Sequence, residues 1–303
     1  MSYYFFVSPD GTKLRGWSND NEGSPAVLVP GIAGTPDAYP SLQTKATGLH
    51  VHSFFMRGTH GSSQPRNRNA VSLADHATDV IALMDSRGLD KAILIGGGYG
   101  VDVVFEVLKN HPDRVYGILA IAGMPRLTGV TPPNSLSIHE KLLFPVTHRM
   151  TQQIRSIVPT LGKMSRTDLA ARLLVRSKVI ATQATAGEMA SVIKAYAEVD
   201  REWFANLIDH AGERCEIAPE DVTVPVTFLV GDEDSILSMA EVRNGSQALA
   251  DSRISEVHGG LLLGVEQPET TLDEALRLAE RAGLNPMEYL SVPPQERAAR
   301  EID

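Results

Sequence analysis

Residues 91–109 constrain the fold more than any other stretch. They read Lys-Ala-Ile-Leu-Ile-Gly-Gly-Gly-Tyr-Gly, then Val-Asp-Val-Val-Phe-Glu-Val-Leu-Lys. The run 92–95 is short and apolar, and Ile93 and Ile95 are β-branched, as a central parallel strand requires. Val101, Val104, Phe105 and Leu108 recur at helical spacing, so a helix follows directly. A glycine cluster between strand and helix has two standing explanations. One is a phosphate cradle of backbone amides at a helix N-terminus. The other is a Gly-x-Ser-x-Gly turn, sharp enough to push its central side chain clear of the sheet. Gly96-Gly97-Gly98-Tyr99-Gly100 fits the second register, with Gly98 at the serine position. The dinucleotide pattern Gly-x-Gly-x-x-Gly fails, because Val101 stands at its last glycine.

The chain of 303 residues is long enough for one large α/β domain with an insertion. A net charge of −9 argues against electrostatic nucleic-acid binding. Cys215 is the only cysteine, so there is no disulfide framework and no cysteine metal site, and a cytoplasmic setting is expected. The apolar run 3–7 is too short for a signal core or a membrane span. The nine histidines show no His-x-x-x-His or His-Glu ligand pairing, so no metal is expected.

Along the chain, 3–7 and 14–17 read as a hairpin turning at Asp10-Gly11. Strands follow at 26–29, 51–55 and 115–121, with an irregular loop over 31–40. Ser72 and Asp75 form a weak capping box for a helix ended by Gly88. From 124 to 218 the alternation stops. Stretches 142–144, 154–161, 169–180 and 189–208 read as helices with little strand signal. The pattern resumes with a strand at 226–230, a helix at 239–249, a strand at 254–257 and a helix at 269–282. Alternating strands and helices imply a mostly parallel sheet flanked by helices on both faces. The expected division is a core of 1–123 and 219–290, a helical cap insertion of 124–218 and a peripheral tail of 291–303.

The order of these elements resembles the α/β-hydrolase fold, and the local motifs agree. Leu28-Val-Pro-Gly-Ile32 is similar to the family's oxyanion loop, Arg57-Gly-x-x-Gly61-x-Ser63-x-Pro65 to its Arg-Gly loop. Residues 226–234, ending Gly231-Asp-Glu-Asp234, are similar to the strand and turn that deliver the triad acid, and Glu266-Gln-Pro268 to the start of the last core helix. The likeness covers about 5–285 and is nearest to small capped esterases, lactonases, C–C hydrolases and haloperoxidase-like proteins.

The resemblance implies a role for each position. Gly98 would occupy the nucleophile position without a side chain. The pair Gly97-Gly98 suits a polar notch for a ligand oxygen, and equally a plain tight strand–helix crossing. Asp234 would be the triad acid, with Asp232 the lesser candidate, and either could simply cap a turn. Aligning Gly260 with the family's glycine puts Leu261 where the histidine belongs. His258 lies three positions early and is the alternative base. Ile32 and Tyr99 would supply the two amide donors, and the Tyr99 ring could line the pocket. Trp203, with Phe204, would roof the pocket or pack the cap core. His60, His139 and His148 read as exposed, and Cys215 as inert.

Without a hydroxyl at the turn there is no conventional acyl-enzyme, and without the imidazole no general base. The expectation is therefore a divergent α/β-hydrolase-fold protein with a degenerate triad. It would bind a small apolar ligand between core and cap, as a non-hydrolytic enzyme (lyase, isomerase or cyclase) or as a pseudo-hydrolase that only binds or regulates. The competing expectation is a true ester, lactone or C–C bond hydrolase using His258, Asp234 and water. No cofactor is implied. A small molecule is the expected partner, with no nucleic acid and no membrane; a homo-oligomer is allowed.

Overall fold

The apolar strand runs alternate between two buried faces, and this alternation builds the protein. Val27, Val29 and Leu94 face one side of the sheet, Ala26, Leu28, Ile93 and Ile95 the other. Both sets are at most 1% exposed, as expected for strands covered on both faces. The computed structural model describes residues 1–44, 47–130, 186–234, 237–286 and 288.

Eight strands form the sheet: β1 (Ser2–Val7), β2 (Lys13–Ser18), β3 (Ser24–Val29), β4 (Leu49–Phe54), β5 (Ala92–Gly97), β6 (Val115–Ile121), β9 (Val226–Gly231) and β10 (Ser252–Val257). Their order is β1-β2-β4-β3-β5-β6-β9-β10. β1 and β2 are the antiparallel hairpin expected from Asp10-Gly11, and β2 meets β4 antiparallel. All remaining pairings are parallel.

The face of Val27 and Leu94 carries α2 (Leu73–Ser86) and α3 (Tyr99–Asn110). The opposite face carries α1 (Pro40–Gln43) and the last core helices, α7 (Leu263–Glu266) and α8 (Pro268–Arg281). α6 (Met239–Ala248) joins the first face through Val242. The capping box at α2 forms in full: Ser72 accepts from the Asp75 amide, and the Asp75 carboxylate accepts from the Ser72 amide. The loop after β3 is less irregular than its prolines suggest, holding a 3-10 turn, Pro36–Ala38, and then α1.

Two expectations for 124–218 change. Residues 189–208 are not one helix. α4 (Ala186–Glu198) and α5 (Arg201–His210) are separate, because Asp200 leaves the helical conformation and its carboxylate accepts the Trp203 amide at 2.9 Å. The segment also contains strand: β7 (Arg126–Leu127) and β8 (Glu216–Ile217) pair with each other in parallel, apart from the main sheet. Asp102 of α3 ties down this clasp, accepting from the Cys215 amide at 2.9 Å and from Arg214 at 3.2 Å. Two residues per strand are too few for alternation to be visible in sequence. The helices expected over 142–144, 154–161 and 169–180, His139, His148 and the tail lie outside the described residues.

Candidate active site

Gly98, Ile32, Asp232, Asp234, His258 and Leu261 all sit past the C-terminal end of a parallel strand, where open α/β sheets bind ligands. Gly98 follows β5, Ile32 follows β3, Asp232 and Asp234 follow β9, and His258 and Leu261 follow β10.

Gly98 holds φ +54° and ψ −118°, a conformation strained for any residue with a side chain. Its amide donates to the Ile121 carbonyl at 2.9 Å, locking the turn to the neighbouring strand. A Cβ on Gly100 would stand 2.1 Å from the Val29 carbonyl oxygen, so this flank of the turn must be glycine. A Cβ on Gly98 would meet nothing within 4 Å, and Gly98 is exposed. The turn is thus a sharp strand-to-helix turn, and the space where a side chain at Gly98 would stand is open.

Ile32 and Tyr99 lie on the loop after β3 and at the start of α3. Tyr99 is the first residue of α3, so its N–H has no intrahelical acceptor. Ile32 lies half-buried in the loop after β3. That loop is braced from the Arg-Gly loop. His60 is half-buried rather than exposed, and its Nε2 lies 3.2 Å from the Ala33 carbonyl oxygen, which fixes the proton on that nitrogen. Burial holds the His60 pKa below the ordinary imidazole range. The Tyr99 ring packs edge-on against His76 of α2, with centroids 6.0 Å apart.

Trp203 is fully buried, and its indole N–H donates to the Arg57 carbonyl at 2.7 Å. The indole therefore clamps α5 onto the Arg-Gly loop, packing with Val71, Leu207 and Ile32. Arg57 is itself 1% exposed and makes a two-pronged pair with Asp79 at 2.7 and 2.8 Å. Burial alone would raise the Asp79 pKa, but the hydrogen bonds from Arg57 outweigh it and the pKa is lowered. Arg57 and its partners thus hold a loop in place and need no role in chemistry.

The loops after β9 and β10 bring His258 to Asp232. The carboxylate that His258 holds is Asp232: Nδ1 lies 3.0 and 3.1 Å from its two oxygens. Both side chains are exposed. The hydrogen bond raises the His258 pKa and lowers that of Asp232. Asp234 accepts the Leu237 amide at 2.9 Å, the turn-capping contact open to either aspartate. The Glu233 amide donates to the Gly259 carbonyl at 2.9 Å, and the Gly259 amide donates to Asp232 at 3.1 Å, which zips the two loops together. Leu261 lies half-buried in the bend between β10 and α7. Cys215 is buried, and burial pushes its thiol pKa up. Among the described residues no cluster of three metal-ligating side chains occurs, and no helix is long and apolar enough to cross a membrane.

Comparison with known proteins agrees with this architecture. Residues 25–262 match the family model described as alpha/beta hydrolase fold. Over 129 residues the chain is 30% identical to epoxide hydrolase A of Mycobacterium tuberculosis (strain ATCC 25618 / H37Rv), covering 40% of this chain and 39% of that protein. The chain thus spans about two fifths of the length of this curated relative. The enol-lactonase from Burkholderia xenovorans LB400 superposes with a TM-score of 0.67 at 16% identity, covering 91% of this chain and 100% of that one. The bromoperoxidase from Bacillus anthracis gives 0.68 at 15% identity, with 92% and 100% covered. At such identities the two structures share the fold alone. With its sheet order and a family match over most of its length, the chain belongs to the α/β-hydrolase fold family.

Proposed function

We propose that the protein binds a small, mostly apolar molecule over the elbow and forms no covalent bond to it there. The observation that carries this reading is Gly98: the elbow backbone is intact, the space above it is open, and no side chain is present to attack. Neither a hydroxyl nor a carboxylate nucleophile can come from this position. In this reading Leu261 stands at the histidine position and Asp234 at the acid position, so the triad is degenerate. What remains is a shaped backbone with the Ile32 and Tyr99 amides, which can polarise a carbonyl. The protein is then a non-hydrolytic enzyme of the lyase, isomerase or cyclase type, or a pseudo-hydrolase. The single buried cysteine fits a cytoplasmic setting.

The test is incubation of the pure protein with 4-nitrophenyl acetate and a set of short lactones, with binding followed by thermal shift. Stabilisation without turnover is expected. Conversion of a bound molecule to a non-hydrolysed product identifies the enzyme form, and binding without conversion the pseudo-hydrolase.

One observation favours a second reading. The His258–Asp232 pair has the geometry of a base held by a carboxylate, and its imidazole pKa is raised. A hydrolase using this pair to activate water would turn over the esters and lose that turnover in His258→Ala. That result would overturn the first reading.

A further inference from the structure

The two edges of the main sheet are built differently. β10, at one end, carries Arg253 and Glu256, charges of the kind that keep a free strand from pairing with another chain. β1, at the other end, reads Ser-Tyr-Tyr-Phe-Phe-Val, with no charge, proline or glycine. Its even residues Tyr4 and Phe6 pack on the α2 side of the sheet. Its odd residues Tyr3, Phe5 and Val7 point the other way and are 47%, 54% and 61% exposed.

The backbone of the same three residues faces the open edge. The Ser8 amide donates to the Thr12 carbonyl at 2.9 Å, so bonded pairing across the hairpin starts at these two residues. Bonded and unbonded pairs alternate along an antiparallel ladder, so Phe6 and Tyr4 bond to β2 while Val7, Phe5 and Tyr3 do not. The groups opposite them agree. Arg15, opposite Phe5, donates its amide to Ser62 Oγ and accepts the Phe55 amide; Lys13, opposite Val7, accepts the Ser63 amide. The N–H and C=O groups of Tyr3, Phe5 and Val7 therefore point out of the sheet, and among the described residues no strand lies beyond them.

We infer that β1 pairs with β1 of a second copy of this chain, antiparallel about a two-fold axis at Phe5. A two-fold contact has to match itself, and this one does. Phe5 opposite its own copy puts Tyr3 opposite Val7 on both sides. All three residues then meet as hydrogen-bonded pairs, and six apolar side chains form one stripe on one face. Lys13 and Arg15 lean over the Phe5 and Tyr3 rings from β2. Their strand is then three spacings, roughly 14 Å, from its copy, so like charges do not meet. One six-residue strand pair is a small interface, and the dimer is accordingly a weak one.

The experiment is sedimentation equilibrium of the full chain from micromolar to near-millimolar concentration. The average mass is expected to rise from one chain toward two. Phe5→Lys changes an exposed side chain and sets like charges face to face, so it is expected to weaken association at least about tenfold, as is Phe5→Glu. An equimolar mixture of these two variants is expected to associate again, because position 5 faces its own copy. A wild type that stays monomeric overturns the inference. So does a dimer that Phe5→Lys leaves intact, which puts the contact elsewhere, or a mixture that does not recover. Should the variants not fold, hydrogen exchange of wild type decides. The Phe5 amide is expected to exchange more slowly as concentration rises. Exchange independent of concentration overturns the inference, whether the amide is open or is already covered by another part of this chain.

Discussion

His258 and Asp232 face each other across the ends of the last two strands, with Nδ1 3.0 Å from one carboxylate oxygen. The pair that an eye trained on motifs would build, His258 with Asp234, is not the one the backbone makes. Asp232 immediately follows β9 and His258 immediately follows β10, and the paired strand ends bring the two side chains together.

This pairing predicts a titration. Asp232 raises the His258 pKa, so the charged pair exists above the lowered Asp232 pKa and below the raised His258 pKa. The His258 contribution is complete below the imidazole's unfolded pKa and is lost as pH rises through the folded one. The Asp232 contribution is complete above the carboxyl's unfolded pKa and is lost as pH falls through its folded one. An NMR titration of the His258 ring should give a midpoint above the ordinary imidazole value. Asp232→Asn should bring it down, and the thermal midpoint should barely move because both groups are exposed.

Gly98→Ser restores a hydroxyl where there is open space but φ is +54°. We expect a loss of roughly 1–2 kcal/mol from backbone strain alone, measured by urea denaturation. No esterase activity should appear, because no imidazole stands at Leu261. The double variant Gly98→Ser with Leu261→His is the informative one. An active single variant would show that Leu261 is not the base position.

Gly97→Ala tests the fit of Tyr39. The added methyl would lie 1.8 Å from the phenol oxygen, so the variant should lose about 1–3 kcal/mol by overpacking. In a Tyr39→Phe background the same substitution should cost less. A double-mutant cycle measures the coupling, and strict additivity would contradict the contact.

Asp79→Ala leaves Arg57 buried without its main counter-charge. Removing one partner of such a pair costs about 3–5 kcal/mol. Because the folded Asp79 pKa is lowered, the wild-type contribution is present above the carboxyl's unfolded pKa and fades as pH falls through the folded value. The stability difference between wild type and variant should therefore shrink in acid, as followed by denaturant melts across pH.

What sequence reveals depends on how local the cause is. The strand, sharp turn and helix around Gly98 were legible because the glycines answer to the elements on either side of them. Gly98 needs a positive φ and Gly100 touches Val29 of the adjacent strand. The capping box of α2 was legible for the same reason, with donor and acceptor three residues apart. The partner of His258 was not, since it depends on how the loops after two different strands zip together through Glu233 and Gly259. The break at Asp200 carried its own sign, an aspartate three residues before Trp203, but apolar spacing on both sides suggested one continuous helix. The packing of Tyr39 was hidden because its neighbours Gly97 and Gly264 sit at the end of β5 and in α7, far from it in sequence.

The clasp of β7 and β8 has a consequence for how such a chain can change. Residues 128–215 leave and return through two strands that already touch, and Asp102 fastens the returning strand to the core. The two ends of the stretch are thereby fixed to the core whatever its length. For a loop pinned at its base, doubling the length costs only about 0.6 kcal/mol in closure entropy. What has to be kept is the part packed on the core, Val192 of α4 and Trp203 of α5, both at most 2% exposed. Selection can then alter the length of the stretch while Gly98 and its neighbours stay fixed, like a lens mount that accepts different glass.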